Sequence, residues 1–195
     1  MPFLSHLNQN SDITDITWNN RRRFAPIDKF SENIMRCPSE LSIETRELLA
    51  AYVSALNDCS FCTGAHLAVA KQFNVPSKLL DELLEDIEYS SIDENFLPLF
   101  YFAHKLTKSP SKITQSDIDS IKLAKWSEKT IEDLICIVSA FNFFNRLLDG
   151  HGIKGNEKVY RLAGRHLSAK GYKVPFFTKL IKPLIDRQKK KYFNE

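Results

Sequence analysis

The eight residues Cys59-Ser60-Phe61-Cys62-Thr63-Gly64-Ala65-His66 carry two thiols three positions apart and an imidazole four beyond the second. A polar break at Asn57-Asp58 precedes them, and an apolar helical run through Leu67, Val69 and Phe73 follows. Either Asn57 or Asp58 can cap a helix starting here, since each side chain accepts a hydrogen bond from an orphan first-turn N–H. Both cysteines then fall in the first turn, where the positive helix end favours thiolate over thiol. Cys62 and His66 share one face, so the imidazole is expected to reach that sulfur. A dithiol beside a base suits two-electron redox chemistry. These placements predict that Cys62 is the more acidic thiol and is oxidised first, with Cys59 closing the disulfide.

Glu47 is the fourth candidate. In one unbroken helix it would lie about 18 Å from Cys59, at 1.5 Å per residue, too far to cooperate. A break at Asn57-Asp58 instead folds two helices into an antiparallel pair, which brings Glu47 level with His66. The carboxylate would then orient an imidazole that takes the thiol proton and later returns one to a leaving group. A solvent-facing acid near the helix start is the competing reading of Glu47. Three others compete for the cysteines. They could be a buried structural pair. They could bind zinc with His66, completed by Cys37, Cys136 or His151. They could also form a thioredoxin-like site, which requires a βαβ pattern that the chain lacks.

Helices must position these groups. Ser42 is placed to cap a helix with apolar Leu48, Leu49, Tyr52, Val53 and Leu56, ending at Asn57-Asp58; the motif helix runs from there to Phe73. Further helices are expected after Ser77, over Phe96 to Leu106, after a Thr114/Asp117 capping pair, after Ser127 as far as Gly150, and over Asn156 to Leu167. A shorter one is expected from Ile27 to Met35, and a last one from about Phe176, kinked near Pro183. Residues 1 to 26 read as a weakly patterned arm pinned by Trp18 and Phe24, and 174 to 195 as a basic helix and tail. No alternating strand pattern occurs, so the fold is predicted all-α: a single domain over 1–195 with its core at about 27–170.

An internal echo supports a duplicated helical hairpin. At an offset of 85 residues Val53-Ser54-Ala55-Leu56-Asn57 matches Val138-Ser139-Ala140-Phe141-Asn142, while Ser42, Thr45, Glu47 and His66 match Ser127, Thr130, Glu132 and His151. Phe144 and Leu147 stand where the cysteines would be. Composition excludes other classes. The net charge is only +3, and its basic clusters (Arg21-Arg22-Arg23 and Lys189-Lys190-Lys191) sit near the ends, which points away from nucleic acid. No apolar run approaches the roughly 18–20 residues of a membrane span, and the opening residues lack a signal-peptide pattern, so a cytoplasmic protein is expected. Six glycines, five of them from Gly150 onward, leave no phosphate-cradling loop for a nucleotide cofactor.

At the segment 46–57 (Arg46-Glu47-Leu48 to Asn57), the Cys59-x-x-Cys62-x-x-x-His66 motif and Phe141-Asn142-Phe143-Phe144-Asn145-Arg146-Leu147-Leu148-Asp149-Gly150, the chain resembles the alkylhydroperoxidase AhpD and carboxymuconolactone decarboxylase superfamily, in its branch of uncharacterised peroxidase-related enzymes. The resemblance implies an AhpD-like helical bundle that assembles as homo-dimers, trimers or hexamers. It implies a peroxidase cycle in which Cys62 attacks hydrogen peroxide or an alkyl hydroperoxide, Cys59 resolves the sulfenic acid, and Glu47 and His66 relay protons. It also implies an external dithiol reductant, such as a lipoyl-bearing protein, and no metal, haem or flavin. Phe61 departs from the AhpD motif, which often has histidine there. A lactone decarboxylase-like lyase and a non-catalytic redox sensor are the alternatives.

Overall fold

The structure, a computed structural model, describes residues 1–174 together with Pro183, Leu184 and Arg187. Nine α-helices are present among the described residues: α1 (Ile13–Asn19), α2 (Arg21–Arg36), α3 (Ile43–Leu56), α4 (Ser60–Gln72), α5 (Leu79–Glu85), α6 (Leu97–Lys108), α7 (Gln115–Leu123), α8 (Glu128–Gly150) and α9 (Glu157–Lys170). No strand occurs among them, and none of these helices is long and apolar enough to cross a membrane. The all-α expectation holds. The helix expected from about residue 176 and the basic tail lie largely outside the described residues.

Helix α3 is the axis of the bundle. Leu48 through Val53 are all buried, and the helix packs against α2, α4, α5, α6 and α8. Such continuous burial, rather than a single apolar stripe, marks a central helix. Ser42 caps it by accepting from the Thr45 N–H at 3.3 Å. Ser127 does the same for α8 through the Thr130 N–H at 3.2 Å, so the 85-residue echo is a repeated cap and a repeated start. The two copies then diverge. Asp58 enters the left-handed region at φ 56° and the chain turns into α4, whereas α8 runs straight on through its equivalent positions to Gly150.

The N-terminal arm is more ordered than its sequence pattern suggests. Asp12 and Asp15 form a capping box at the start of α1. Asn20 then caps α2 through the Arg23 N–H. That helix begins six residues before Ile27 and carries Pro26 inside it. Phe24 is buried, as expected of a pinning residue. Helix α9 lies close along α4: a Cβ on Gly164 would come within 3.0 Å of the Ala68 carbonyl oxygen, a contact that only a residue without a side chain relieves.

Candidate active site

The break between α3 and α4 places the thiols. Neither Asn57 nor Asp58 caps α4. Cys59 itself occupies the cap position, with no side-chain cap hydrogen bond, and Cys62 lies in the first turn. Asn57 is occupied elsewhere. Its amide donates to the side-chain oxygens of Asn142 at 3.1 Å and Asn145 at 2.9 Å, tying the turn to α8. Asn145 in turn donates to the Ser54 hydroxyl at 2.9 Å. A buried amide is stable only when so satisfied. Both cysteines are free thiols, 0% and 3% exposed.

The thiols face one another, and their acidities are split in the opposite sense to the sequence expectation. The Cys59 thiol is drawn down chiefly by the neighbouring Cys62 thiol, with the Cys62 backbone N–H adding to this against burial and Asp149. Cys62 is pushed well up, first by the Cys59 thiol beside it and then by burial, with Asn145 opposing. The expectation of a more acidic Cys62 rested on His66 reaching its sulfur. Among the described residues, His66 Nδ1 instead hydrogen-bonds Glu47, with the Tyr172 hydroxyl 3.2 Å away, and no hydrogen bond joins the ring to either sulfur.

Glu47 and His66 come together across the antiparallel pair. Glu47 Oε2 lies 2.7 Å from His66 Nδ1, and Glu47 is fully buried rather than solvent-facing. Its echo in the second copy, Glu132, is exposed. Burial raises the Glu47 pKa, but the hydrogen bond and charge of His66 and the Arg36 guanidinium outweigh it, and the net shift is downward. An ionised carboxylate can only accept, so Nδ1 carries the proton and donates it to Oε2. Phe141 of α8 packs edge-on against the imidazole, with ring centroids 4.5 Å apart.

Five further residues were not singled out as site members in the sequence. Arg36, at the end of α2, places Nη2 2.7 Å from Glu47 Oε1. Tyr172 follows Gly171 and directs its hydroxyl at the same carboxylate, 3.0 Å from Oε1. Tyr160 of α9 donates from its hydroxyl to the Ser60 carbonyl at 2.9 Å, and its ring lies over Gly64. Asn145 and Asp149 of α8 face the sulfurs. Only Asn145 left a legible signal, as a polar member of an otherwise apolar helical stripe. Among the described residues no group of three or more histidine, cysteine and acidic side chains could hold a metal ion.

Residues 24–91, which include Arg36, Glu47, Cys59, Cys62 and His66, match the Carboxymuconolactone decarboxylase family. No curated protein matches the chain. Among solved structures, an uncharacterised peroxidase-related protein from Ralstonia eutropha JMP134, described as an alkylhydroperoxidase AhpD core, aligns with TM-score 0.69 and 18% identity over 76% of this chain and 78% of its own. An uncharacterised peroxidase-related protein from Silicibacter sp. TM1040 aligns with TM-score 0.69 and 20% identity over 82% and 94%. A protein of unknown function from Agrobacterium tumefaciens, described as a putative antioxidant defence protein AhpD, aligns with TM-score 0.61 and 15% identity over 73% and 97%. The fold is AhpD-like, and the resemblance read from the sequence holds in both comparisons.

Proposed function

We propose that the protein is a dithiol peroxidase that reduces hydrogen peroxide or alkyl hydroperoxides and is recycled by an external dithiol. The observation that carries this reading is the pair of buried free thiols, Cys59 and Cys62, at the start of α4, one helical turn from a buried Glu47–His66 dyad. A thiol at a helix start whose pKa is lowered by its neighbour supplies more thiolate than a free one, and thiolate is the nucleophile. The AhpD-like fold agrees with it.

In the proposed cycle the Cys59 thiolate attacks the outer peroxide oxygen, the O–O bond breaks, and the departing alkoxide takes a proton to leave as alcohol or water. Cys59 is then a sulfenic acid. The Cys62 sulfur attacks it, the S–O bond breaks, and water leaves with the Cys62 proton as the disulfide forms. An external dithiol exchanges with this disulfide and is itself oxidised, which restores both thiols. The order of the cysteines in this cycle is the reverse of the one the family resemblance implies; the downward shift of the Cys59 thiol beside Cys62 supports it. His66 lies one turn along α4 from Cys62 on the same face, and Glu47 fixes its tautomer, so the ring serves as the proton carrier of the resolving step. The protein acts as a homo-oligomer, with a lipoyl-bearing protein or a small dithiol as reductant.

Peroxide consumption should be followed with dihydrolipoamide and other dithiols as donors, in the wild type, Cys59→Ser and Cys62→Ser. Turnover in the wild type and its loss in both variants is expected. Turnover that survives Cys62→Ser unchanged eliminates the dithiol cycle. A single oxidation event without recycling by any dithiol assigns the pair to sensing instead.

A further inference from the structure

We infer that Tyr172 is a positioning residue of this site, and that the segment following α9 completes the proton-carrying dyad through its hydroxyl. The inference rests on the peroxidase reading for its purpose, but not for its geometry.

The chain leaves α9 at Gly171, whose φ of 66° only glycine adopts without strain, and a Cβ there would meet Glu32 Oε2 at 2.7 Å. That turn carries the backbone back over α2, where the Tyr172 N–H donates to Glu32 Oε2 at 2.7 Å. The side chain then reaches inward. Its hydroxyl lies 3.0 Å and 3.2 Å from the two Glu47 oxygens and 3.2 Å from His66 Nδ1. Its ring is nearly parallel to the imidazole, at 9° and 6.3 Å between centroids. The Arg36 guanidinium sits 4.9 Å from the ring centroid on its way to Glu47 and also donates to the Leu167 carbonyl at 3.0 Å. Tyr172 is thus held by backbone, by cation–π contact and by hydrogen bond, all converging on one carboxylate.

The direction of that hydrogen bond follows from proton counting. His66 Nδ1 already gives its only proton to Glu47 Oε2, so it cannot accept from the phenol. The phenol proton therefore goes to the carboxylate. Burial, with Glu47 next to it, holds the Tyr172 pKa far up, so the hydroxyl keeps that proton throughout the working range. Glu47 then has three donors: Arg36, His66 and Tyr172. Arg36 and Tyr172 hold Oε1, so Oε2 is left aimed at Nδ1. Each donor that stabilises the carboxylate charge also weakens its pull on the His66 proton. The hydroxyl consequently sets both the ring's orientation and its proton affinity. Other charged or titratable groups around the dyad are Arg36 and Glu32 from α2, Cys62 on α4, and Asp149 from α8 beside the thiols.

The test uses the full chain and two variants, Tyr172→Phe and Tyr172→Leu. The Phe variant keeps the ring and its contact with Arg36 and removes only the hydroxyl. The His66 titration, read by NMR of the ring in the reduced protein, should move up by about half a unit to one unit in Tyr172→Phe. Tyr172→Leu should give the same displacement with an added loss of thermal stability. This readout needs no turnover, so it decides the inference even if peroxide is not the substrate. Where turnover exists, the acid limb of its pH profile should move by the same amount while KM for peroxide holds. An unmoved His66 titration in the folded Phe variant overturns the inference and leaves Tyr172 as packing alone. Should only the Leu variant shift it, ring packing is responsible and the hydroxyl has no role.

Discussion

Removing the Cys62 thiol while leaving its backbone in place should make Cys59 less acidic. The Cys59 thiol is drawn down first by the Cys62 thiol and further by the Cys62 backbone N–H, both donor groups beside it. Cys62→Ala deletes the first donor and keeps the second, together with the helix end. A hydrogen bond to a charged group contributes about 1.5–3 kcal/mol, and a thiol is a weak donor, so the low end applies. That corresponds to about one pH unit, or a roughly tenfold smaller thiolate fraction at neutral pH. Cys62→Ser substitutes a hydroxyl donor and should preserve most of the acidity, so Cys59 should be more acidic in Cys62→Ser than in Cys62→Ala. In Cys59→Ala, Cys62 remains buried and faces Asp149, and it should titrate higher than Cys59 does in either variant. Iodoacetamide alkylation from about pH 5 to 10 measures these midpoints through the thiolate, with Cys37 and Cys136 replaced by serine in every chain. If Cys62 in Cys59→Ala titrates below Cys59 in Cys62→Ala, the acidity order is wrong and the order implied by the family resemblance returns.

Other perturbations probe the surroundings of the thiols. Glu47→Gln leaves the half-buried Arg36 without its charge partner and should cost about 3 kcal/mol at neutral pH by denaturant unfolding. Because the folded Glu47 lies below its ordinary value of 4.5, its contribution is present above that value and is lost as pH falls through the lower folded one. The wild type should therefore weaken below about pH 4.5, and Glu47→Gln should weaken less over that window. Asn145→Ala removes one partner each from Ser54 and Asn57, which keep Ala50 and Asn142, and should lower stability by about 1 kcal/mol, with a subadditive double mutant when combined with Asn57→Ala. A Cβ on Gly64 would fall 2.3 Å from the Tyr160 ring, so Gly64→Ala should destabilise by about 1–3 kcal/mol. Most of that loss should disappear in a Tyr160→Ala background, and independent, additive effects would refute the contact.

The helical skeleton was legible because its signals are local. Ser42, Ser127 and the Thr114–Asp117 box act within their own first turns, and the structure shows each of them capping a helix. The proximity of Glu47 and His66 was legible for a similar reason, since a short hairpin fixes which residues of its two arms lie level. Arg36 and Tyr172 were not legible. They reach the dyad from α2 and from the turn after α9, and no spacing along the chain encodes that convergence. The cap of α4 was misread for a related reason. Asn57 has the chemistry of a cap, but its amide is committed to Asn142 and Asn145, its partners 85 and 88 residues away. The expected contact of His66 with the Cys62 sulfur failed in turn, because sharing a face of α4 does not place an imidazole on a sulfur when a buried carboxylate competes for the ring.

The divergence of the two repeats gives a physical reason for the chemistry lying in one of them. A helix has exposed N–H groups only at its start, and a thiolate gains from them only there. In the first copy the left-handed Asp58 breaks the helix and creates a new start at Cys59. In the second copy α8 continues unbroken through Phe144 and Leu147, whose N–H groups are spent within the helix. Cysteines at those two positions would have no helix end to stabilise them, and apolar residues there instead extend the core. The second copy contributes a wall: Phe141 against the imidazole, Asn145 on Cys62 and Asp149 beside Cys59. Asn57 and Asn142, equivalent positions of the 85-residue echo, meet at 3.1 Å. The break that makes the thiol site is thereby anchored to the helix that lacks one.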